Sequence, residues 1–198
     1  GILPVSLADW GAAFVAMPGH KGLYGPQGTG LLLCGAEARP LLFGGTGSAS
    51  RRQIMPADLP DRLEAGTHNM PGIAGLLEGL RFVSRTGTER IAQWERRLTR
   101  RAEERLTRMP GVEVFADKTG RNQTGVLSFR VKGLDCEQVG EELARRQIAV
   151  RAGLHCAPLA HQTLHTMPQG TIRFAFSSFN TTSEIDQCIL GLRELFSV

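Results

Sequence analysis

Thirteen residues from Pro18 to Gly30 contain five glycines, and they follow one short apolar run, residues 14–17, and precede another, residues 31–34. So dense a set of glycines excludes a helix and marks a tight, specified loop. The apolar runs on either side are bounded by Gly and Pro and read as two short buried strands. Within the loop Lys21 stands beside His20. A lysine at a strand end, partly desolvated, can present a neutral amine to a carbonyl. Elsewhere a lysine is a solvated surface charge, and a His beside it is ordinarily a structural hydrogen bonder. The chain has only three lysines (Lys21, Lys118 and Lys132) among 23 basic residues, so few amines are available for such chemistry.

At 198 residues, 41% hydrophobic and 21% charged, the chain has the makeup of a soluble globular protein of one or two domains. It can bury a core without a disulfide or metal staple. No run of 18 apolar residues exists, which excludes a helical membrane span. The N-terminus has neither a basic region nor a small-residue cleavage site, so no signal peptide is read. Four scattered cysteines without a CxxC suggest free thiols in a reducing compartment, hence the cytoplasm. The net charge of +4 is concentrated between Arg81 and Arg108, where nine Arg face four Glu. Ile91, Trp94, Leu98, Ala102 and Leu106 recur there at helical spacing, so the arginines form the solvated face of an amphipathic helix. Without aromatic platforms beside the basic residues, nucleic acid is not an expected partner.

Along the chain, residues 73–83 predict a helix capped by Asn69 with Pro71 in its first turn. The basic helix spans 89–108. Strands follow at 112–115 and 125–131, then a helix from an Asp135 cap to about Gln147, with Val139 and Leu143 inward. Residues 148–150 and 171–177 read as strands, and 183–196 as a final helix whose Ser183-x-x-Asp186 resembles a capping box. A boundary near 86–89 divides the chain into residues 1–87, loop-rich, and residues 88–198, a compact α+β module.

Three further groups of residues could carry chemistry. Cys156 lies in a loop between predicted strands, near Arg151, His155 and His161 in sequence. Cationic neighbours favour a thiolate and so a nucleophile, whereas a cysteine is more commonly a small buried hydrophobe. His155, Cys156, His161 and His165 are also conceivable zinc ligands, but their spacing matches no standard structural zinc pattern. Arg173 interrupts an apolar strand. It needs either an internal carboxylate or a carboxylate brought by a substrate. Thr67, just before a helix N-terminus, could help hold a phosphate.

Taken together, the segments PGHKGLYGPQGTG, GGTGS, RLEAGTHN, RAGLHCAPLAH and TIRFAFSSFNT resemble, in order, the C-terminal half of a class V aminotransferase-fold enzyme of the cysteine desulfurase and selenocysteine lyase family, in its NifS-like form. The resemblance covers nearly the whole chain. It implies an α/β protein of the pyridoxal-phosphate transferase fold: the end of the large cofactor domain, then the small C-terminal α+β domain. It implies that Lys21 carries pyridoxal 5'-phosphate as a Schiff base, that His20 contacts the cofactor phosphate, and that Thr67 reaches the phosphate in the partner subunit of a homodimer. It implies that Cys156 takes sulfur from the substrate as a persulfide, that Arg173 clamps the carboxylate of a small amino-acid substrate, and that Arg151 assists near the site. A sulfur-acceptor protein is then a further expected partner.

The sequence departs from the family where Pro18 replaces a serine that helps bind the phosphate in many members. Members of the family are about twice as long. The carboxylate that meets the pyridine nitrogen and the His that stacks on the ring belong to their upstream half, so this chain is expected to be a fragment that is inactive by itself. The rival readings are selenocysteine lyase, a transaminase or epimerase of the same fold, a silent scaffold, and a zinc-binding module.

Overall fold

Phe14–Pro18 (β1) and Gly30–Cys34 (β2) pair antiparallel around the glycine-dense loop, with Pro18 opposite Gly30. They are the expected strands, but they are not buried: their residues alternate between exposed and half-buried, and Phe14 and Leu32 face solvent. A two-stranded ribbon has no further strand to close it. The computed structural model describes residues 1–196, without the Ser48 side chain. The chain forms two compact units, one of residues Gly1–Thr88 and one from Glu89 onward.

In the first unit, a short helix, Leu7–Trp10 (α1), precedes the ribbon, and Met70–Thr86 (α2) follows it. Asn69 caps α2 as its sequence predicts, its side chain accepting from the Gly72 N–H at 3.1 Å. Gly79 is a contact point that helical periodicity does not reveal. A Cβ there would overlap the Leu23 carbonyl, so its absence lets α2 close directly onto the Lys21 loop. Tyr24 packs edge-on against Phe82 at 5.0 Å and completes that contact.

The second unit begins in Thr88–Leu106 (α3), and its four strands, lying side by side in the chain order first, second, fourth, third, form one sheet that is antiparallel throughout. The strands are Val112–Phe115 (β3), Val126–Val131 (β4), Arg151–Gly153 (β5) and Thr171–Ala175 (β6). The helices Cys136–Arg145 (α4), Pro158–Thr163 (α5) and Thr182–Phe196 (α6) complete it. One face of the sheet is apolar. Leu127, Phe129 and Val131 of β4 and Ile172 and Phe174 of β6 bury themselves against Leu98 and Ala102 of α3, Val139 and Leu143 of α4, and Ile189 and Leu192 of α6. Strand periodicity sends the intervening residues, Ser128 and Arg173 among them, to the opposite face.

Three local expectations change. The strand read at 148–150 forms three residues later. Gln147 takes a left-handed turn at φ +61°, the Ile148 N–H closes the end of α4 on the Leu143 carbonyl, and pairing with β6 starts at Arg151. α5 arises in a stretch that carried no helical pattern. The capping box of α6 is Thr181-x-x-Glu184. The Glu184 carboxylate accepts from the Thr181 N–H at 2.6 Å, and the Glu184 N–H donates to Thr181 Oγ1 at 3.3 Å. Asp186 instead receives a bidentate pair of hydrogen bonds from Arg101 at 2.9 and 2.7 Å.

Candidate functional site

The first unit carries Lys21, His20 and Thr67. Lys21 and His20 follow β1 directly and are exposed. The loop is fixed beneath them: the Gly19 N–H donates to the Thr29 carbonyl and the Gly25 N–H to the Gly19 carbonyl, both at 2.8 Å. Among the described residues the Lys21 ammonium has no acidic partner. Thr67 is exposed in a loop that touches the second glycine-rich segment. The Gly66 N–H donates to the Gly45 carbonyl at 3.1 Å, and a Cβ on Gly45 would lie 2.7 Å from Gly66 Cα. The two motifs are thus in contact, and only glycine permits that approach.

The second unit carries Arg151, Cys156 and Arg173, and the sheet register brings them together. Arg151 of β5 lies directly opposite Arg173 of β6, so the two side chains share the face away from the helices. Ser128 flanks Arg173 on its other side. No carboxylate joins the pair: among the described residues neither arginine makes an ion pair, and Arg173 Nε is buried without any partner. Among the described residues the internal salt bridge, one of the two alternatives for Arg173, is not made. Two like charges directly across a sheet are destabilising, and a buried guanidinium N–H without an acceptor adds to that. Such an arrangement suits an anion supplied from outside, and a planar carboxylate is the natural match for a guanidinium fork.

Cys156 is exposed, and its sulfur accepts a hydrogen bond from Arg151 Nη2 at 3.6 Å. His155, beside it, turns inward, with Nε2 3.0 Å from the Thr171 carbonyl and 3.1 Å from Thr171 Oγ1. Burial holds its pKa below the ordinary 6.5, and the charges of Arg173, His161 and Arg151 add to this against the Thr171 hydrogen bond. His155 is therefore neutral at pH 7. Cys188 and Cys136 offer a contrast: burial pushes the Cys188 thiol up to about 12, and burial likewise raises that of Cys136. Among the described residues no three His, Cys, Asp or Glu side chains converge as metal ligands. His161 Nδ1 is occupied by Thr166 Oγ1 at 2.7 Å. Among the described residues the zinc alternative therefore has no assembled ligand set.

The sequence profile of the aminotransferase class-V family matches residues 1–188. The chain belongs to that family. It is 37% identical, over 98% of its length, to a probable cysteine desulfurase of Mycolicibacterium paratuberculosis, of which it covers 28%. A probable cysteine desulfurase of Methanothermobacter thermautotrophicus is 34% identical over 93% of the chain, which covers 48% of that relative. Among solved structures, the apo cysteine desulfurase of Thermococcus onnurineus NA1 superposes with a TM-score of 0.86 at 33% identity, covering 98% of this chain and 49% of that one. The chain thus spans between about a quarter and a half of the relatives it matches. The α/β architecture is that of these class-V structures.

The residues are legible in the sequence, and their relation is not. That Arg151 faces Arg173 follows from the β5–β6 register, and β5 was expected three residues earlier. Thr171 opens the segment that carries Arg173, but the sequence assigns it no role of its own. Its signal was its place two residues before Arg173 on the same face of one strand.

Proposed function

We propose that this chain supplies the C-terminal part of a pyridoxal 5'-phosphate-dependent cysteine desulfurase, which converts L-cysteine to L-alanine and leaves a persulfide on Cys156. The observation that carries the reading is the pair Arg151 and Arg173, without a carboxylate of their own, beside an exposed thiol 3.6 Å from Arg151. An amino acid brings the missing carboxylate, and Arg173 is the fork that receives it, with Arg151 assisting. Cys156 then meets the substrate sulfur. Its sulfur forms the S–S bond as the substrate C–S bond breaks, the electron pair of that bond passes to the carbon side, and a proton added there completes alanine.

The chain's own donors fit a pyridoxal phosphate site in part. Lys21 offers an amine at a strand end in a loop braced by backbone hydrogen bonds, and His20 and Thr67 offer polar groups for the phosphate. When bound, that cofactor supplies the electron sink that labilises the substrate. Residues 1–87 belong in this reading to the large cofactor domain and residues 88–198 to the small domain. The unit of residues 1–88 exposes Leu41, Leu42 and Phe43 at 91%, 69% and 65% beside the Gly44–Ser48 loop. So apolar a stretch calls for cover, which supports a homodimer in which Thr67 serves the neighbouring site. An exposed Cys156 persulfide is open to a sulfur-acceptor protein, and the reducing cytoplasm suits its free thiols.

The test is the complete reading frame, purified with pyridoxal phosphate and assayed for alanine release from L-cysteine and from L-selenocysteine. Alanine from cysteine supports the reading. Alanine from selenocysteine alone replaces it with a selenocysteine lyase, and none from either overturns it.

A further inference from the structure

Leu154 to Ala157 form a tight turn, closed by a 2.8 Å hydrogen bond from the Ala157 N–H to the Leu154 carbonyl. Both central residues are left-handed, His155 at φ +52° and Cys156 at φ +60°. Those are the φ signs of a type I′ turn, where Gly, Asn and Asp dominate. His and Cys each carry a Cβ, and holding them there stores strain that the surroundings must offset.

The surroundings act through the His155 ring. The Thr171 carbonyl can only accept, so Nε2 carries the hydrogen and donates to it at 3.0 Å. That leaves Nδ1 as the bare lone pair, buried and without a partner. The ring also tilts against His161 at 5.7 Å between centroids. Both anchor points are firm. Thr171 is 2% exposed within β6, and His161 is locked by Thr166, also 2% exposed. An isolated type I′ turn of this composition would relax. The fixed ring prevents that and thereby sets the direction of the next side chain, Cys156.

We propose that His155 is a positioning residue: by anchoring the left-handed turn to Thr171, it holds the Cys156 sulfur against the Arg151 guanidinium. This deepens the reading of Cys156 as the sulfur-accepting thiol and rests on it. His155 touches no reacting atom. It acts through the backbone of residue 156, so removing it uncouples Arg151 from the thiol.

The experiment is a double-mutant cycle in the full-length protein, read as the rate of iodoacetamide alkylation of Cys156 followed by peptide mass spectrometry at neutral pH. Arg151→Met is expected to slow alkylation about tenfold in the parent protein, the equivalent of one charge-assisted hydrogen bond. In the His155→Phe protein, which keeps a ring but donates nothing, the same Arg151→Met change is expected to matter by less than about twofold. A role confined to folding would lower Tm and leave the Arg151 effect intact, and that result overturns the proposal. Should His155→Phe not fold, Thr171→Val removes one of the two acceptors and shrinks the Arg151 effect part-way. An undiminished effect there overturns the proposal as well. The two readings separate cleanly. Coupling without persulfide on Cys156 from L-cysteine keeps the positioning role and sinks the desulfurase. Persulfide without coupling does the reverse.

Discussion

Replacing Arg173 by Met should weaken substrate binding and, at the same time, make the protein more stable. Arg173 Nε is buried with no acceptor, and a buried unsatisfied donor costs about 1–3 kcal/mol. Arg151 stands directly opposite, and like charges across a sheet cost a further ~0.2–1 kcal/mol. Methionine keeps the apolar stem and removes both terms. Arg173 is only half-buried, so its outer nitrogens retain water, and the lower end of that sum applies: a gain of about 1 kcal/mol, or roughly 4 °C in Tm for a unit of this size. The internal ion-pair account predicts the opposite, a loss of about 3–5 kcal/mol from a stranded carboxylate. Urea unfolding followed by Trp94 fluorescence in a Trp10→Phe background reads the second unit, since Trp94 is half-buried with Nε1–H donating to the Asn180 carbonyl at 3.1 Å. In the complete enzyme the same variant should raise KM for cysteine roughly tenfold to 150-fold, the worth of one charge-assisted pair at ~1.5–3 kcal/mol. Arg173→Lys should also raise it, because lysine keeps the charge but loses the fork. A destabilised Arg173→Met protein with unchanged KM would refute the reasoning.

Gly79→Ala should destabilise the Lys21 loop by about 2 kcal/mol or more, seen as faster proteolysis near Tyr24, because the added methyl overlaps the Leu23 carbonyl. Thr181→Ala should lower Tm while Ser183→Ala leaves it unchanged, since the helix is capped by Thr181 and Glu184. Hydrogen bonds from the Thr181 N–H and hydroxyl hold the Glu184 carboxyl below its ordinary 4.5, so its contribution is present above pH 4.5 and lost as pH falls through its lower folded value. Glu184→Gln should therefore flatten the acid limb of the stability curve. Native-state alkylation at pH 8 should label Cys156 well before the half-buried Cys188, whose thiol desolvation pushes up to about 12.

The long helices were legible because their periodicity and caps are local, whereas the short α1 and α5 carry no such periodicity. Asn69 and Asp135 cap as their sequences say, and Ile91, Leu98, Ala102 and Leu106 face inward. Where two local signals competed, tertiary context chose between them. Ser183-x-x-Asp186 and Thr181-x-x-Glu184 both suit a cap, and Asp186 is claimed by Arg101 from another helix. The strands of the ribbon read as buried because apolar runs do not announce which neighbour covers them. At the candidate site, residue identities were legible and their juxtaposition was not. The Arg151–Arg173 pairing depends on a register set across 22 residues, and nothing in His155 or Cys156 signals a left-handed backbone.

The proposed function requires that Cys156 accept the sulfur and that Lys21 hold the cofactor. The most direct measurement is peptide mass spectrometry of the complete enzyme after one turnover with L-cysteine, alongside a sample reduced with borohydride before substrate. One added sulfur atom on the Cys156 peptide and the reduced cofactor on the Lys21 peptide are the expected results. Sulfur on Cys34, Cys136 or Cys188, or cofactor on Lys118 or Lys132, would contradict the account.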